Sequence, residues 1–251
     1  MLKIEIIPIY LNVNINAKSK LLNVLLESIK NNHQIIKNGD IIVIAQKIIS
    51  KNEGRSIYLN HIIPSSKSIE LGKKIKKDPR IVELIIQESR KIIRVFDRTI
   101  ITETFHGFIC ANAGIDQSNV SKSKNRVLLL PKDPDKSACS IRKEIYEKTR
   151  KNVAVLITDT FGRPFRMGQT NVAIGIAGIN PLKNYKGKRD MFGKIMKVTE
   201  IAIVDEIAGA AELVMGKSEG IPVAIVRNAF YSKHNSSIKK IIREETRDIF
   251  R

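Results

Sequence analysis

The apolar runs in this chain are short. The longest, such as Ile41–Ala45 and Val172–Ile179, stop far below the roughly 18–20 residues that a membrane-spanning helix needs. Segments of this length, bounded by Gly, Pro, Asp or Ser, read instead as β-strands. Ile41–Ile49, Val153–Ile157, Val198–Val204 and Ile221–Val226 are read as strands, and Val172–Ile179 as either a strand or a buried small-residue segment. Residues 2–9 alternate as a strand does, and short strands are expected around Lys91–Val95, Thr99–Glu103 and Gly107–Ala111. Helical spacing covers Leu21–Ile29, Ser137–Lys148, the Ala-rich Asp205–Met215 and the tail Ser236–Ile249. Asp78-Pro79 predicts a further helix to about Arg90, with Asp78 as cap and Pro79 in its first position. Gly39-Asp40 and Pro131–Asp135 read as turns, and 128–130 as an apolar triplet. Strands and helices mix without a regular βαβ beat, so the expected class is α+β rather than a doubly wound sheet. The turn-rich stretch near 116–136 is the expected boundary of a second lobe.

Composition narrows the function classes. Over 251 residues, 43% hydrophobic content suffices for a real core. Two cysteines, Cys110 and Cys139, exclude a disulfide framework and fit a reducing compartment. His33, His61, His106 and His234 show no paired spacing, which argues against a Cys/His zinc site. The first residues lack the order of a signal peptide, so a cytoplasmic protein is expected. The net charge of +19, 44 basic against 25 acidic residues, invites a nucleic-acid reading. However, aromatics are only 5%, tryptophan is absent, and no basic run carries the interleaved rings of a stacking platform. The clusters Lys73, Lys74, Lys76, Lys77 and Lys183, Lys186, Lys188, Arg189 therefore read as solvated surface, or as a field that attracts small polyanionic substrates. A basic RNA- or DNA-binding protein stays as the alternative, on charge alone.

Four segments concentrate reactive side chains. In Ile157–Gln169 an apolar strand ends in Asp159-Thr160, followed by Gly162, Arg163, Arg166 and Gly168 in a glycine-bearing loop. A carboxylate and a hydroxyl at a strand end are hard oxygen ligands for Mg²⁺ or Mn²⁺. Two arginines close behind can clamp phosphate or carboxylate through paired hydrogen bonds. In Cys110–Asn119, Asn112 and Gly114 permit unusual backbone angles beside Asp116, Ser118 and Asn119. Asp116 is either a turn former or a second carboxylate of a divalent or two-metal site with Asp159. Gln46, Lys47 and Lys51 follow the Ile41 run, placed to meet phosphate or to sit on an exposed edge. Met215–Pro222 joins a helix to a strand, with Gly216 as helix cap and Gly220 as turn residue. It is not a phosphate P-loop, and no dinucleotide fingerprint or nucleophile elbow is present. His106 reads as a packing or hydrogen-bonding residue rather than a base.

Taken in order, Gly39–Gly54, His106–Val120, Leu128–Ala138, Ile157–Gly178 and Ala202–Val226 resemble the coenzyme F-420:L-glutamate ligase family, the gamma-glutamyl ligases of deazaflavin cofactor synthesis. The resemblance implies GTP-dependent addition of L-glutamate to the precursor F-420-0 through an acyl phosphate. It implies a family-specific α+β fold of two interlocked lobes over residues 1–251, assembled as a homodimer with the cleft near the interface. A stand-alone ligase without the fused nitroreductase-like domain of some bacterial members is expected. By the same resemblance Asp116, Asp159 and Thr160 hold Mg²⁺ or Mn²⁺, with K⁺ as a further cation. Gln46, Lys47, Lys51 and Asn119 contact GTP, and the 10–13 segment closes on the nucleotide together with Met215, Gly216, Lys217, Ser218, Glu219, Gly220, Ile221 and Pro222. Arg163 and Arg166 are the expected holders of acidic substrate. Two positions depart from the family pattern: Tyr10–Val13 lacks its acid and glycine, and Lys217 stands where an acid or amide is expected. A GTP-binding regulator without ligation is the remaining alternative.

Overall fold

The computed structural model describes residues 3–117 and 125–248. In chain order the strands are β1 (Glu5–Ile9), β2 (Ile41–Ala45), β3 (Ser56–Tyr58), β4 (Ser89–Phe96), β5 (Thr99–Thr104) and β6 (Ile109–Ala111). They continue with β7 (Arg126–Leu128), β8 (Ala154–Arg163), β9 (Arg166–Ala177), β10 (Lys183–Asn184), β11 (Glu200–Ile201) and β12 (Val223–Arg227). The helices are α1 (Leu21–Asn31), α2 (Gln46–Asn52), α3 (Ser66–Lys74), α4 (Pro79–Gln87), α5 (Pro134–Thr149) and α6 (Ile203–Met215).

A five-stranded sheet ordered β1-β12-β2-β8-β9 forms the framework, and only β2 and β8 run parallel in it. This mixed sheet is consistent with α+β. Ile41–Ile44 and Ala154–Ile157 are buried on both faces, which is why they read as unbroken apolar runs. Two apolar clusters result. The larger packs α1, α5 and α6 with the sheet. The smaller gathers Leu59, Ile81, Val82, Leu84, Ile85, Ile100, Val127 and Leu129 from the segment between β2 and α5. Leu129 packs in the smaller cluster and its neighbour Leu130 in the larger.

Several boundaries differ from the expected ones, each for a local reason. The Ile41–Ile49 strand ends at Ala45, whose N–H donates to the Pro222 carbonyl, 2.9 Å. Pro222 has no N–H to return, so the ladder stops and the chain turns into α2. The glycine-bearing stretch 158–169 is no loop: β8 and β9 run on through it as a long hairpin, turning at Pro164-Phe165. Pro131–Asp135 is more than a turn, because Asp133 caps α5 through the Lys136 N–H and Pro134 takes the first helical position. Val198–Val204 keeps only the two residues of β11; Asp205 and Glu206 suit the positive N-terminal end of α6 instead. The tail forms two 3₁₀ turns, Ile238–Ile241 and Glu245–Arg247, rather than a long helix. Its entry is pinned by Asp135, which accepts from Ser237 Oγ at 2.7 Å and Ile238 N at 3.0 Å.

Close approach of α5 to the sheet demands a glycine. A Cβ at Gly175 would stand 2.5 Å from the Pro134 carbonyl carbon, where nothing soft can yield. The same helix end reaches β9 again through Asp135, which accepts from Ile176 N at 2.8 Å. β9 is thereby fixed at two points: at Gly175 and Ile176 by α5, and at Ala173 by the bond from its N–H to Asp205 of α6, 2.9 Å.

Candidate active site

The ends of β2 and β8 open onto a cavity of about 670 Å³, within the range of small-molecule sites. Its lining includes Gln46, Lys47, Lys51, Asp116, Asp159 and Thr160, brought together from three separate stretches of chain. Leu11, Val13, Asn14 and Ile15 cover one side, and Met215–Ser218 with Gly220–Pro222 another. Glu219 turns back instead, accepting from Ser218 N at 2.8 Å and Ser218 Oγ at 2.9 Å. Asn119 lies outside the described residues. Arg163 and Arg166 lie at the exposed tip of the hairpin, beyond the cavity lining, where Arg163 Nη2 donates to the Met167 carbonyl at 2.9 Å. His106 is held by the carbonyls of Pro131 and Lys132 and stacks on Phe108, as a structural residue does.

Asp116 owes its place to a strained turn. Asn112, Ala113 and Gly114 all take left-handed backbone angles, φ 52°, 55° and 68°. Strain of this kind persists only where the surroundings enforce it. Here Asn112 Oδ1 accepts from Ile100 N at 3.2 Å and Lys77 Nζ at 2.9 Å, and Leu130 packs where a Gly114 Cβ would stand. Two backbone bonds between Asp116 and Leu128, 2.9 and 2.8 Å, then hold the acid at the cavity edge. Asp159 and Thr160 are carried on β8, just past a bulge between Ile157 and Thr158 that re-aims the strand.

The charges are set against one another. Burial pushes the Asp159 carboxyl up to about 7; the negative charge of Asp116 adds to the rise, while the Thr160 backbone N–H, Lys217 and Lys47 oppose it. Lys47 Nζ pairs with Asp116 Oδ2 at 2.7 Å. Burial lowers the Lys51 pKa, and repulsion from Lys47 and Arg126 lowers it further. One side of the cavity is therefore short of positive charge and the other short of negative charge. Buried Gln46 adds an unused donor: its Oε1 accepts from Ser50 Oγ at 2.7 Å, but its Nε2 has no hydrogen-bond partner. An anionic ligand oxygen would satisfy both the Lys51 ammonium and the Gln46 amide.

Among the described residues no cluster of three or more His, Cys, Asp or Glu side chains is arranged to hold a metal. Two carboxylates still fit Mg²⁺ or Mn²⁺ in one mode, in which one or two carboxylates are completed by water and substrate phosphates, while the Thr160 hydroxyl beside them meets Asn171 and Lys217. A cation between Asp116 and Asp159 would also let the buried Asp159 ionise.

Residue-by-residue reading missed Asn171, Glu212 and Cys110, which also line the cavity. Glu212 carried a usable signal, an acid inside an otherwise apolar and Ala-rich helix. Asn171 gave none, being one polar residue in a strand.

Residues 12–228 match the model of the F420-0:Gamma-glutamyl ligase family. The chain is 50% identical over 217 residues to the coenzyme F420:L-glutamate ligase of Methanocaldococcus jannaschii, covering 86% of both chains. It is 48% identical over 217 residues to that of Methanococcus maripaludis strain C7, again 86% of both. To that of Methanothermobacter thermautotrophicus it is 41% identical over 240 residues, 94% of both. Such identity across most of the length, with every named cavity residue but Leu11 inside the matched span, makes this chain a member of the F420-0:gamma-glutamyl ligase family.

Proposed function

We propose that this protein is a GTP-dependent ligase that joins L-glutamate to the coenzyme F-420 precursor F-420-0. Family membership supports the ligase class. One observation carries the nucleotide half of the reading: the carboxylates Asp116 and Asp159 share a cavity with Lys47, Lys51 and the unpartnered Gln46 Nε2. In the proposed reaction the F-420-0 carboxylate takes the γ-phosphoryl group, forming a C–O–P bond as the bond from γ-phosphorus to the bridging oxygen breaks and GDP leaves. The glutamate amine then attacks the acyl carbon and inorganic phosphate departs.

Asp116 and Asp159 would hold Mg²⁺ or Mn²⁺, which supplies neutralisation of phosphate charge, beside the Thr160 hydroxyl that Asn171 and Lys217 engage. Lys47, Lys51 and Gln46 receive the phosphates, and the two covering segments, 11–15 and 215–222, enclose the nucleoside end. Arg163 lies further along β8, which carries Thr160, and Arg166 pairs with it from β9. There they are proposed to hold the carboxylates of an acidic substrate that projects from the cavity. The oxygens beside Thr160 that would suit the monovalent ion implied by the family resemblance are met by the Lys217 ammonium. A homodimer is proposed to cover Phe165 and Met167, 87% and 96% exposed at the hairpin tip. Among the described residues no helix is long and apolar enough to cross a membrane.

The test is direct. Protein mixed with F-420-0, L-glutamate, GTP and Mn²⁺ should give glutamylated product by mass, with one GDP released per glutamate added. Folded protein that yields no product overturns the ligase reading. GTP binding without glutamate-dependent GDP release would make the chain a nucleotide-binding regulator instead.

A further inference from the structure

Lys217 leaves the capped end of α6 and returns across the cavity to β8 and β9. Its Nζ meets Thr160 Oγ1, Asn171 Oδ1 at 3.3 Å and Glu212 Oε1 at 3.0 Å. An ammonium has three donors, and three oxygens from three different elements converge on it. Those oxygens are themselves fixed. The Thr160 hydroxyl donates to Asn171 Oδ1 at 2.6 Å, and Asn171 Nδ2 donates to Glu212 Oε2 at 2.6 Å. Asn171 is buried, and these two bonds link Thr160 to Glu212 through it independently of the ammonium. With one carboxylate among three oxygens, the cage carries a single negative charge, which suits a monovalent cation.

We infer that Lys217 is a tethered monovalent cation: its ammonium fills an oxygen cage that would otherwise take a free K⁺ or NH₄⁺ ion, and it holds Thr160 in place. The cage belongs to the cavity assigned above to the nucleotide, and only the effect on nucleotide binding rests on that assignment. The natural chain should then work without added monovalent metal, while a chain lacking the ammonium should acquire a need for it.

The test compares the natural protein with Lys217→Ala and with Lys217→Ala/Glu212→Gln, at matched ionic strength in KCl or tetramethylammonium chloride. Without nucleotide, the melting temperature of the natural protein should be the same in both salts. Lys217→Ala should melt about 2–4 °C higher in KCl, the shift expected of a weak ion site filled at 0.1 M. The double variant should lose that response. With GDP and Mn²⁺, calorimetry should show binding to Lys217→Ala weakened roughly tenfold in tetramethylammonium and restored by K⁺ or NH₄⁺. A K⁺ response equal in the natural protein and Lys217→Ala, or absent from Lys217→Ala, overturns the inference. If none of the proteins binds GDP, the nucleotide assignment falls, and the melting comparison still decides the role of Lys217.

Discussion

Replacing Asp159 by Asn should lower glutamate ligation by about 10³-fold, on the scale of the several kcal/mol that a metal-bound phosphate gains in a transition state. The swap keeps shape and removes charge. Asp116, paired with Lys47, then faces the phosphates without a second carboxylate beside the cation. The fold should survive and gain. In the folded chain the Asp159 carboxyl titrates at about 7, chiefly through burial, against an ordinary value of 3.8. Between those two values the unfolded chain has released a proton that the folded chain still holds, so ionisation favours unfolding. In metal-free buffer the melting temperature of Asp159→Asn should therefore rise relative to the natural protein between about pH 4 and pH 7 and stay level above. Thermal melts across that range and steady-state turnover check the two halves separately. Near-natural turnover at ordinary metal concentration would remove Asp159 from the site.

Replacing Arg227 by Met should destabilise the protein by about 3–5 kcal/mol, the cost of leaving a buried charge without its partner. Arg227 ends β12 with 8% of its side chain exposed, and its partner Asp40 is 1% exposed. The guanidinium grips the carboxylate through Nε to Oδ1 and Nη2 to Oδ2, both 2.9 Å, and Nη2 also donates to the Ile35 carbonyl at 2.8 Å. The pair bolts the loop before β2 to the end of its neighbour β12. Urea unfolding should show a lower midpoint at an unchanged slope. The double replacement Arg227→Met/Asp40→Leu should recover much of the loss, because two apolar groups leave no orphan charge. By contrast, removing Arg247, which meets Glu244 in an exposed pair, should cost no more than about 1 kcal/mol. Equal losses at the two sites would contradict the ranking by burial.

These cases also show what a sequence can reveal. The central strands were legible because burial on both faces needs unbroken Ile and Val, as in Ile41–Ala45 and Ala154–Ile157. Asp78-Pro79 was legible because cap and first-turn chemistry are local, and Asp133-Pro134 follows the same rule within a stretch that reads as a turn. The end of β2 was not legible, since it is set by a proline 177 residues later in the chain. The hairpin beyond Thr158 looked like a loop because its glycines and arginines suit turns, while the ladder that leads into it is fixed from α5 and α6. The tail lost its helix to hydrogen bonds that Ser237 and Ile238 donate to Asp135, a contact across about a hundred residues. Asp40 read as a turn residue, with nothing nearby to announce Arg227. In the cavity, residue types and short spacing singled out Asp159, Thr160, Lys47 and Lys51. The Lys217 cage needed the folded contacts of β8, β9 and α6.

The most direct measurement is the structure of the protein crystallised with GDP and Mn²⁺, read by anomalous scattering at the manganese edge. The expected result is manganese between the carboxylates of Asp116 and Asp159, the diphosphate within reach of Lys47 and Lys51, and the Lys217 ammonium still against Thr160. Manganese and nucleotide bound elsewhere, such as the groove of about 530 Å³ that α1, α2 and α5 line around Asn23, Asn52 and Ser140, would contradict the assignment of the site.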